Sequence, residues 1–332
     1  MRPIDPELAR LVADRQAGPN AEIPPFPSPA PSGGQSREEW LAEVATCRAR
    51  WDALAAAGSS TAGRTGPDVG SVRDHPIPVE GAAITARAYT PVGSGPFPAI
   101  VSYHGGAFWM AGGEVGFALA EAPCRDLCAG LGSVVVHVDY RLAPEHPYPV
   151  QLEDNYTALT WVVDHAAELD VDPANLSVMG ASSGANQAAA VCLLARNRGG
   201  PTLRGQILLA PTLDFTGSSP SIAQEPMAAL VKAVVAPLYA PPDRWTDPLV
   251  SPLLAEDLSG LPPAVIVTGA HDPLRDDGRR YAQRLGGAGV DVWWREYPML
   301  HDVALPETYS QLTGDLVTAV GTIQAGGRLV PS

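Results

Sequence analysis

The chain has little of most features that mark a specialised partner or environment. Cysteine is scarce: Cys47, Cys124, Cys128 and Cys192 are the four in 332 residues and form no C-x-x-C pair. That excludes a disulfide framework and a zinc knuckle, and leaves buried thiols as the expectation. Basic charge is short as well. With Lys+Arg 22 against Asp+Glu 36 the formal net charge is -14, which argues against nucleic acid and anionic membrane as partners. No stretch approaches the roughly 18 apolar residues of a membrane-spanning helix. The first thirty positions carry Asp5, Glu7, Asp14 and Glu22 without an apolar run, so no secretory leader is expected, and a reducing cytoplasmic location follows. Charged residues make up only 17% against 45% hydrophobic, a balance that fills a sizeable core and does not suit a disordered chain.

Glycine (33) and proline (34) are plentiful and predict many tight turns. After a short helix over residues 5–16, six prolines between positions 19 and 31 predict an extended surface strap. Ser36 and Glu39 then form a capping box ahead of Trp40, Val44, Cys47, Trp51 and Leu54, spaced 4, 3, 4 and 3, with Gly58 as the stop. This is an amphipathic helix. Two tryptophans on its apolar stripe require it to dock, as core packing or as a lid over a site.

From Val72 the period changes. Residues 72–79 and 82–90 read as strands joined at Glu80-Gly81, a hairpin. Strands and helices then alternate: strand 98–103, helix 117–130, strand 133–139, helix 150–168, strand 176–179, helix 184–197 and strand 206–209. Strand 264–269, helix 277–286, strand 290–297 and a helix ending near 325 complete the series. Such alternation predicts an α/β fold with a mostly parallel sheet covered on both faces. Residues 214–260 interrupt it with proline-punctuated loops and one helical stretch, 227–235. An insertion there lies above the carboxyl ends of the strands, where such folds bind ligands.

The sharpest local signal is Gly180-Ala181-Ser182-Ser183-Gly184, directly after the strand at 176–179 and opening the next helix. A sharp strand-to-helix turn needs neighbours without side chains, and it lifts the serine hydroxyl to the top of the sheet. A serine attacks only when a base takes its proton and a third group orients that base. With chain order Ser, Asp or Glu, then His, only His271 and His301 remain as bases. Asp272 falls just past the end of strand 264–269 and His301 just past strand 290–297. Asp276 and Asp277 are rival acids, but favourable charge at a helix start explains them well, so Asp272 is preferred by its position past the strand. His104-Gly105-Gly106-Ala107 follows strand 98–103. Glycines there let backbone N–H groups point at a developing oxyanion, so Gly105, Gly106 and the N–H of Ser183 are the candidate oxyanion hole. Phe108, Trp109 and Met110 come next and are candidate pocket residues.

Taken in order, HGGAFWMAGG (104–113), DYRLAPEHPYP (139–149), GASSGAN (180–186), HDPLRDDG (271–278) and YPMLHD (297–302) resemble the hormone-sensitive-lipase-like serine esterases of the α/β-hydrolases. The resemblance covers roughly residues 75–325. It implies a triad of Ser182, Asp272 and His301, no metal or organic cofactor, and a small-molecule ester as partner. It also implies a cap built from an N-terminal segment (1–60) and the 214–260 insertion, over a catalytic domain spanning 72–325. His104, Asp139, Arg141, Glu145 and His146 would brace the loop beneath the site.

The chain departs from the family pattern at several points. The family's elbow usually reads GDSAGG, so Ala181, Ser183 and Ala185 differ around an intact serine, and Ser183 becomes a rival nucleophile. Asp302 and Val303 replace the usual Gly-Phe after the histidine. The expected activity is hydrolysis of short- to medium-chain carboxylic esters through an acyl-enzyme. Amide or lactone hydrolysis, acyl transfer or a lyase step would use the same triad, and a non-catalytic receptor the same scaffold. Trp293 and Trp294 face opposite sides of strand 290–297. If that strand is the sheet edge, one of them is exposed there and offers a strand-to-strand homodimer contact.

Overall fold

The computed structural model describes residues 4–17, 24–58, 64–301 and 303–329. Eight strands form one sheet: β1 Ser71–Val79, β2 Ala82–Thr90, β3 Phe97–Tyr103, β4 Val134–Asp139, β5 Val171–Ala181, β6 Gly205–Leu209, β7 Ala264–Gly269 and β8 Val292–Tyr297. Their spatial order is β1-β2-β4-β3-β5-β6-β7-β8. The β1–β2 hairpin and the β2–β4 pair are antiparallel, and every later pair is parallel. The helices are α1 Pro6–Ala17, α2 Arg37–Gly58, α3 Gly113–Leu131, α4 Val150–Asp164, α5 Ser183–Arg198, α6 Pro220–Ala223, α7 Pro226–Tyr239, α8 Arg275–Gly287 and α9 Pro306–Gln324.

Two buried clusters cover the two faces of the sheet. One packs the alanine-rich α5 with α4 and α8 on Val101, Val136, Val178 and Ile266. The other packs α3 and α9 on Ile100, Val135, Ile207 and Val265. Alternation along each strand sends neighbouring residues to opposite faces, and both faces are apolar because both are covered. A third cluster ties Trp40, Val44 and Cys47 of α2 to Phe108, Trp109 and Phe215, and to Val235 and Tyr239 of α7. The capping box closes α2 as expected: Ser36 N–H donates to Glu39 Oε2 at 2.8 Å and Glu39 N–H to Ser36 Oγ at 3.2 Å.

Two boundaries differ from the sequence reading. Helix α3 starts at Gly113, four residues early, because Asp139 Oδ1 at the end of β4 accepts the Gly113 N–H at 2.8 Å. Strand β5 starts at Val171, ahead of Pro173, because Val171 pairs with Phe97 across an irregularity in the β3–β5 register. Strand β8 is the sheet edge, yet the exposed indole expected there is missing. Trp293 is 8% exposed and packs against α9, while Trp294 is half-buried and donates its indole N–H to Thr268 Oγ1 at 3.2 Å. Helices cover both faces even at the edge.

Candidate active site

Strand β5 lies at the middle of the sheet, and its carboxyl end carries the turn into α5. Ser182 sits at that turn with φ 55° and ψ -116°, a conformation that L side chains rarely adopt. The surrounding backbone enforces it. Ser182 N–H donates to Leu209 O at 2.8 Å, and Ser182 O accepts Ala185 N–H at 3.1 Å. The flanking glycines are required by close approach: a Cβ on Gly180 would lie 2.1 Å from Gly184 O, and one on Gly184 would lie 2.1 Å from Tyr103 O.

The ends of β7 and β8 bring up the partners. Ser182 Oγ–H donates to His301 Nε2 at 2.9 Å, and His301 Nδ1–H donates to Asp272 Oδ2 at 2.9 Å. The Asp272 side chain is fully buried and its other oxygen accepts the Leu274 N–H at 2.8 Å, whereas the His301 ring is one-third exposed at 33%. A buried carboxylate fixed from both sides can hold the imidazole in one tautomer, with Nε2 open toward the serine. The rival acids are engaged elsewhere. Asp276 accepts Ser221 N–H at 3.0 Å, and Asp277 accepts Leu213 N–H at 2.8 Å and the Ser219 hydroxyl. Both tie the 213–221 segment to α8. Burial raises the Asp277 carboxyl to about 6.

The loop after β3 passes beside the serine. Gly106, Ala107 and Phe108 all have positive φ (115°, 51° and 68°), a left-handed run that folds the chain over so that Gly106 O accepts the N–H groups of Trp109 and Met110 at 3.1 and 3.0 Å. Among the described residues, neither Gly105 nor Gly106 gives its own N–H to a backbone carbonyl, and Ser183 is the first residue of α5, whose leading N–H groups lack helical partners. The Ser183 side chain is fully buried and does not line the cavity that holds Ser182.

The loop is gripped by groups that the sequence reading passed over. Tyr140 OH donates to His104 O at 2.8 Å and stacks on the His104 ring at 4.1 Å. Gln151 Nε2 donates to Phe108 O at 2.8 Å. From α2, Arg48 donates to Trp109 O at 2.5 Å and Ala143 O at 2.9 Å while forking onto Glu145 at 2.7 and 2.9 Å. Asp52 Oδ1 accepts Ala111 N–H at 2.8 Å. Arg48 and Asp52 lie four apart beside the apolar stripe of α2, a spacing that marks one helix face and could have drawn attention to them. Of the bracing residues expected, Asp139 caps α3, Glu145 holds Arg48, and Arg141 forks onto buried Asp154 at 2.6 and 2.8 Å. Burial pushes the His104 imidazole down, and that of its neighbour His137 down to about 3.

A cavity of about 1490 Å³ opens over Ser182 and His301. One wall comes from α3 and α9 with Met179, Cys124, Leu127 and Leu312, and the other from Phe215, Ile222, Val231 and Val235. Phe108 and Met110 line it; Trp109, 1% exposed, does not and belongs to the packing beneath α2. The positive φ at 107 and 108 breaks the simple spacing that would have put all three on one wall. Val303 lines the cavity, and Asp302 lies outside the described residues. No helix among the described residues is long and apolar enough to cross a membrane.

Comparison with known proteins identifies the family and the fold. Residues 100–305 match a family model described as the alpha/beta hydrolase fold. A carboxylesterase of Mycobacterium tuberculosis, NlhH, is 41% identical over 228 residues, which cover 66% of this chain and 70% of that one. An esterase structure from Pyrobaculum calidifontis superposes with a TM-score of 0.79 at 30% identity, covering 97% of this chain and 99% of the other. An alpha/beta hydrolase from a Lake Arreo metagenome gives 0.82 at 30% identity, over 97% and 98%.

Proposed function

The chain belongs to the α/β-hydrolase fold family and is a carboxylic ester hydrolase, and from that premise we propose that Ser182, Asp272 and His301 are its catalytic triad. The supporting observation is the pair of 2.9 Å hydrogen bonds running Ser182–His301–Asp272 on the floor of an apolar cavity. His301 Nε2 takes the proton of Ser182 Oγ as that oxygen attacks the ester carbonyl carbon. The carbonyl π electrons move onto oxygen, which the N–H groups of Gly105, Gly106 and Ser183 stabilise. On collapse the alcohol leaves with the proton from His301, giving an acyl-Ser182. Water, deprotonated by the same imidazole, then releases the acid and restores the serine. Asp272 steadies the imidazolium in both halves and keeps its own charge throughout.

The same reading makes α1, α2 and the 214–260 segment a cap over a catalytic domain spanning 72–325. Its support is the third hydrophobic cluster, which joins α2 and α7 across the oxyanion loop, apart from the two clusters on the sheet. Short- and medium-chain acyl groups are the proposed substrates, lying against the apolar walls. Hydrolysis of p-nitrophenyl acetate, butyrate, octanoate and palmitate by wild type and Ser182→Ala tests both points. Turnover should favour the shorter chains and fall by orders of magnitude in the variant. Wild-type turnover by Ser182→Ala would remove the triad, and a preference for palmitate would remove the chain-length assignment.

A further inference from the structure

The chain contains a single lysine, Lys232; the rest of its 22 Lys+Arg residues are arginine. That lysine stands on α7 in the wall of the cavity that holds Ser182, half-buried among Phe215, Ile222, Val231 and Val235. Its Nζ donates to the main-chain carbonyl of Asp214 at 2.8 Å, its one hydrogen bond among the described residues. The side chain packs over Gly217, where φ is +76° and a Cβ would lie 2.9 Å from Nζ. Any other residue at 217 would therefore push the ammonium out of place.

An ammonium has three N–H donors. The Asp214 carbonyl takes one, and the neighbouring carboxylates are committed elsewhere. Asp214 accepts Thr216 N–H at 2.8 Å and Ser218 N–H at 3.2 Å and lies 3.5 Å from Arg280, while Asp277 accepts Leu213 N–H, Asp214 N–H and the Ser219 hydroxyl. Lys232 thus makes no ion pair among the described residues, although both carboxylates favour its charged form through space. Burial works the other way and lowers its pKa. A cation set in an apolar wall with two donors to spare gains most from an anion that enters with the ligand. Glu225, the residue just before α7, lines the same cavity seven positions ahead of Lys232, about 10 Å along the helix axis. At that separation its repulsion of an incoming carboxylate is weaker than the attraction of an ammonium in direct contact with it.

We propose that Lys232 is a specificity-determining residue that binds a free carboxylate on the ester substrate, so that half-esters of dicarboxylic acids are a preferred class. The proposal rests on the esterase reading above and concerns only which esters are chosen. It is tested by initial rates of ethanol release from monoethyl adipate and diethyl adipate, by wild type, Lys232→Met and Lys232→Arg. Wild type should favour the half-ester. Lys232→Met should lower kcat/KM for the half-ester roughly tenfold or more, mainly through KM, by loss of a charge-assisted hydrogen bond. The diester should change by no more than about twofold in that variant, and Lys232→Arg should keep most of the preference, on the same reasoning.

Equal losses on both esters, or no wild-type preference, would overturn the role of Lys232 while leaving the esterase reading intact. Turnover of neither ester would count against the esterase reading instead. A second measurement needs no variant. Because one side chain carries the only ε-amine, labelling of wild type by trinitrobenzenesulfonate, located by peptide mapping, reports on Lys232 alone. Adipate should slow that labelling several-fold and 1,6-hexanediol should not; labelling indifferent to adipate refutes the proposal whatever the variants do.

Discussion

Replacing Gly184 by alanine tests the central geometric claim, that the serine turn exists because β3 and α5 touch where a side chain would stand. The added Cβ would lie 2.1 Å from Tyr103 O, 2.5 Å from His104 O and 2.7 Å from Tyr103 C. Ordinary contact begins near 3.4 Å, so the two segments must separate by roughly 1 Å or more. All three obstacles are main chain and cannot rotate away. Overpacking by one methyl typically costs about 1–3 kcal/mol, and rigid neighbours place this site at the upper end. For a chain of this size that lowers Tm by roughly 4 °C. Separation also carries Gly105 and Gly106 away from Ser182, and a misplacement of about 1 Å can lower turnover about a hundredfold. Thermal unfolding and p-nitrophenyl butyrate kinetics read both effects. Two controls bracket the result. Gly105→Ala puts its Cβ 3.0 Å from Ala181 O and 3.5 Å from Ser182 Cβ, so it should cost activity with little change in Tm. Gly314→Ala meets nothing within 4 Å on the exposed face of α9 and should stabilise by about 0.5–1 kcal/mol. A Gly184→Ala protein with wild-type Tm and kcat would refute the reasoning.

Asp272→Asn should lower kcat by up to about 10⁴-fold with little change in KM, whereas Asp276→Asn, whose carboxylate serves Ser221 and Arg279, should stay within a few-fold; equal effects would reassign the acid. Arg48→Lys cannot reproduce the fork onto Glu145 together with the bonds to two carbonyls and should destabilise by about 2 kcal/mol in urea titration; an unchanged midpoint would mean that α2 is not anchored there. His137 has a folded-state pKa near 3 because burial disfavours its charge, so between the unfolded value of about 6.5 and 3 the unfolded chain binds the extra proton. Stability from this group is complete above about 6.5 and falls on acidification at up to about 1.4 kcal/mol per pH unit, a slope that His137→Gln should remove. Asp277, raised to about 6, acts with the opposite sign between about 4 and 6, so the comparison must be variant against wild type at each pH.

The chemistry was legible in the sequence because it is encoded locally. Gly180, Ser182 and Gly184 occupy five consecutive positions whose steric demand follows from the turn they make, and the chain order of acid and base follows from the fold. Boundaries were less legible where a distant partner decides them. Helix α3 begins where Asp139 of another strand caps it, and β5 begins where an irregular pairing with Phe97 allows it. Spacing arguments failed at Trp109 because they presuppose regular dihedrals, and a run of positive φ at 106–108 removes that premise. They failed at Trp294 because the half-exposed edge is an attribute of sheets with one open face, and this sheet has none.

The groups that hold the oxyanion loop were invisible for a different reason. Arg48 and Asp52 come from a helix more than fifty residues upstream of the loop that they fix, and their spacing marks a shared helix face without naming the loop that it meets. Lys232 shares this property, since its position in the wall depends on α7 and on the gap left by Gly217. Reaction type and substrate choice are therefore carried by different kinds of contact. The serine turn needs neighbours within a few residues and so leaves a readable pattern. The cavity wall facing the rest of a substrate is assembled from α2, α7 and the 214–221 segment, so on the proposed reading a single substitution there redirects specificity without disturbing the Ser182–His301–Asp272 chain.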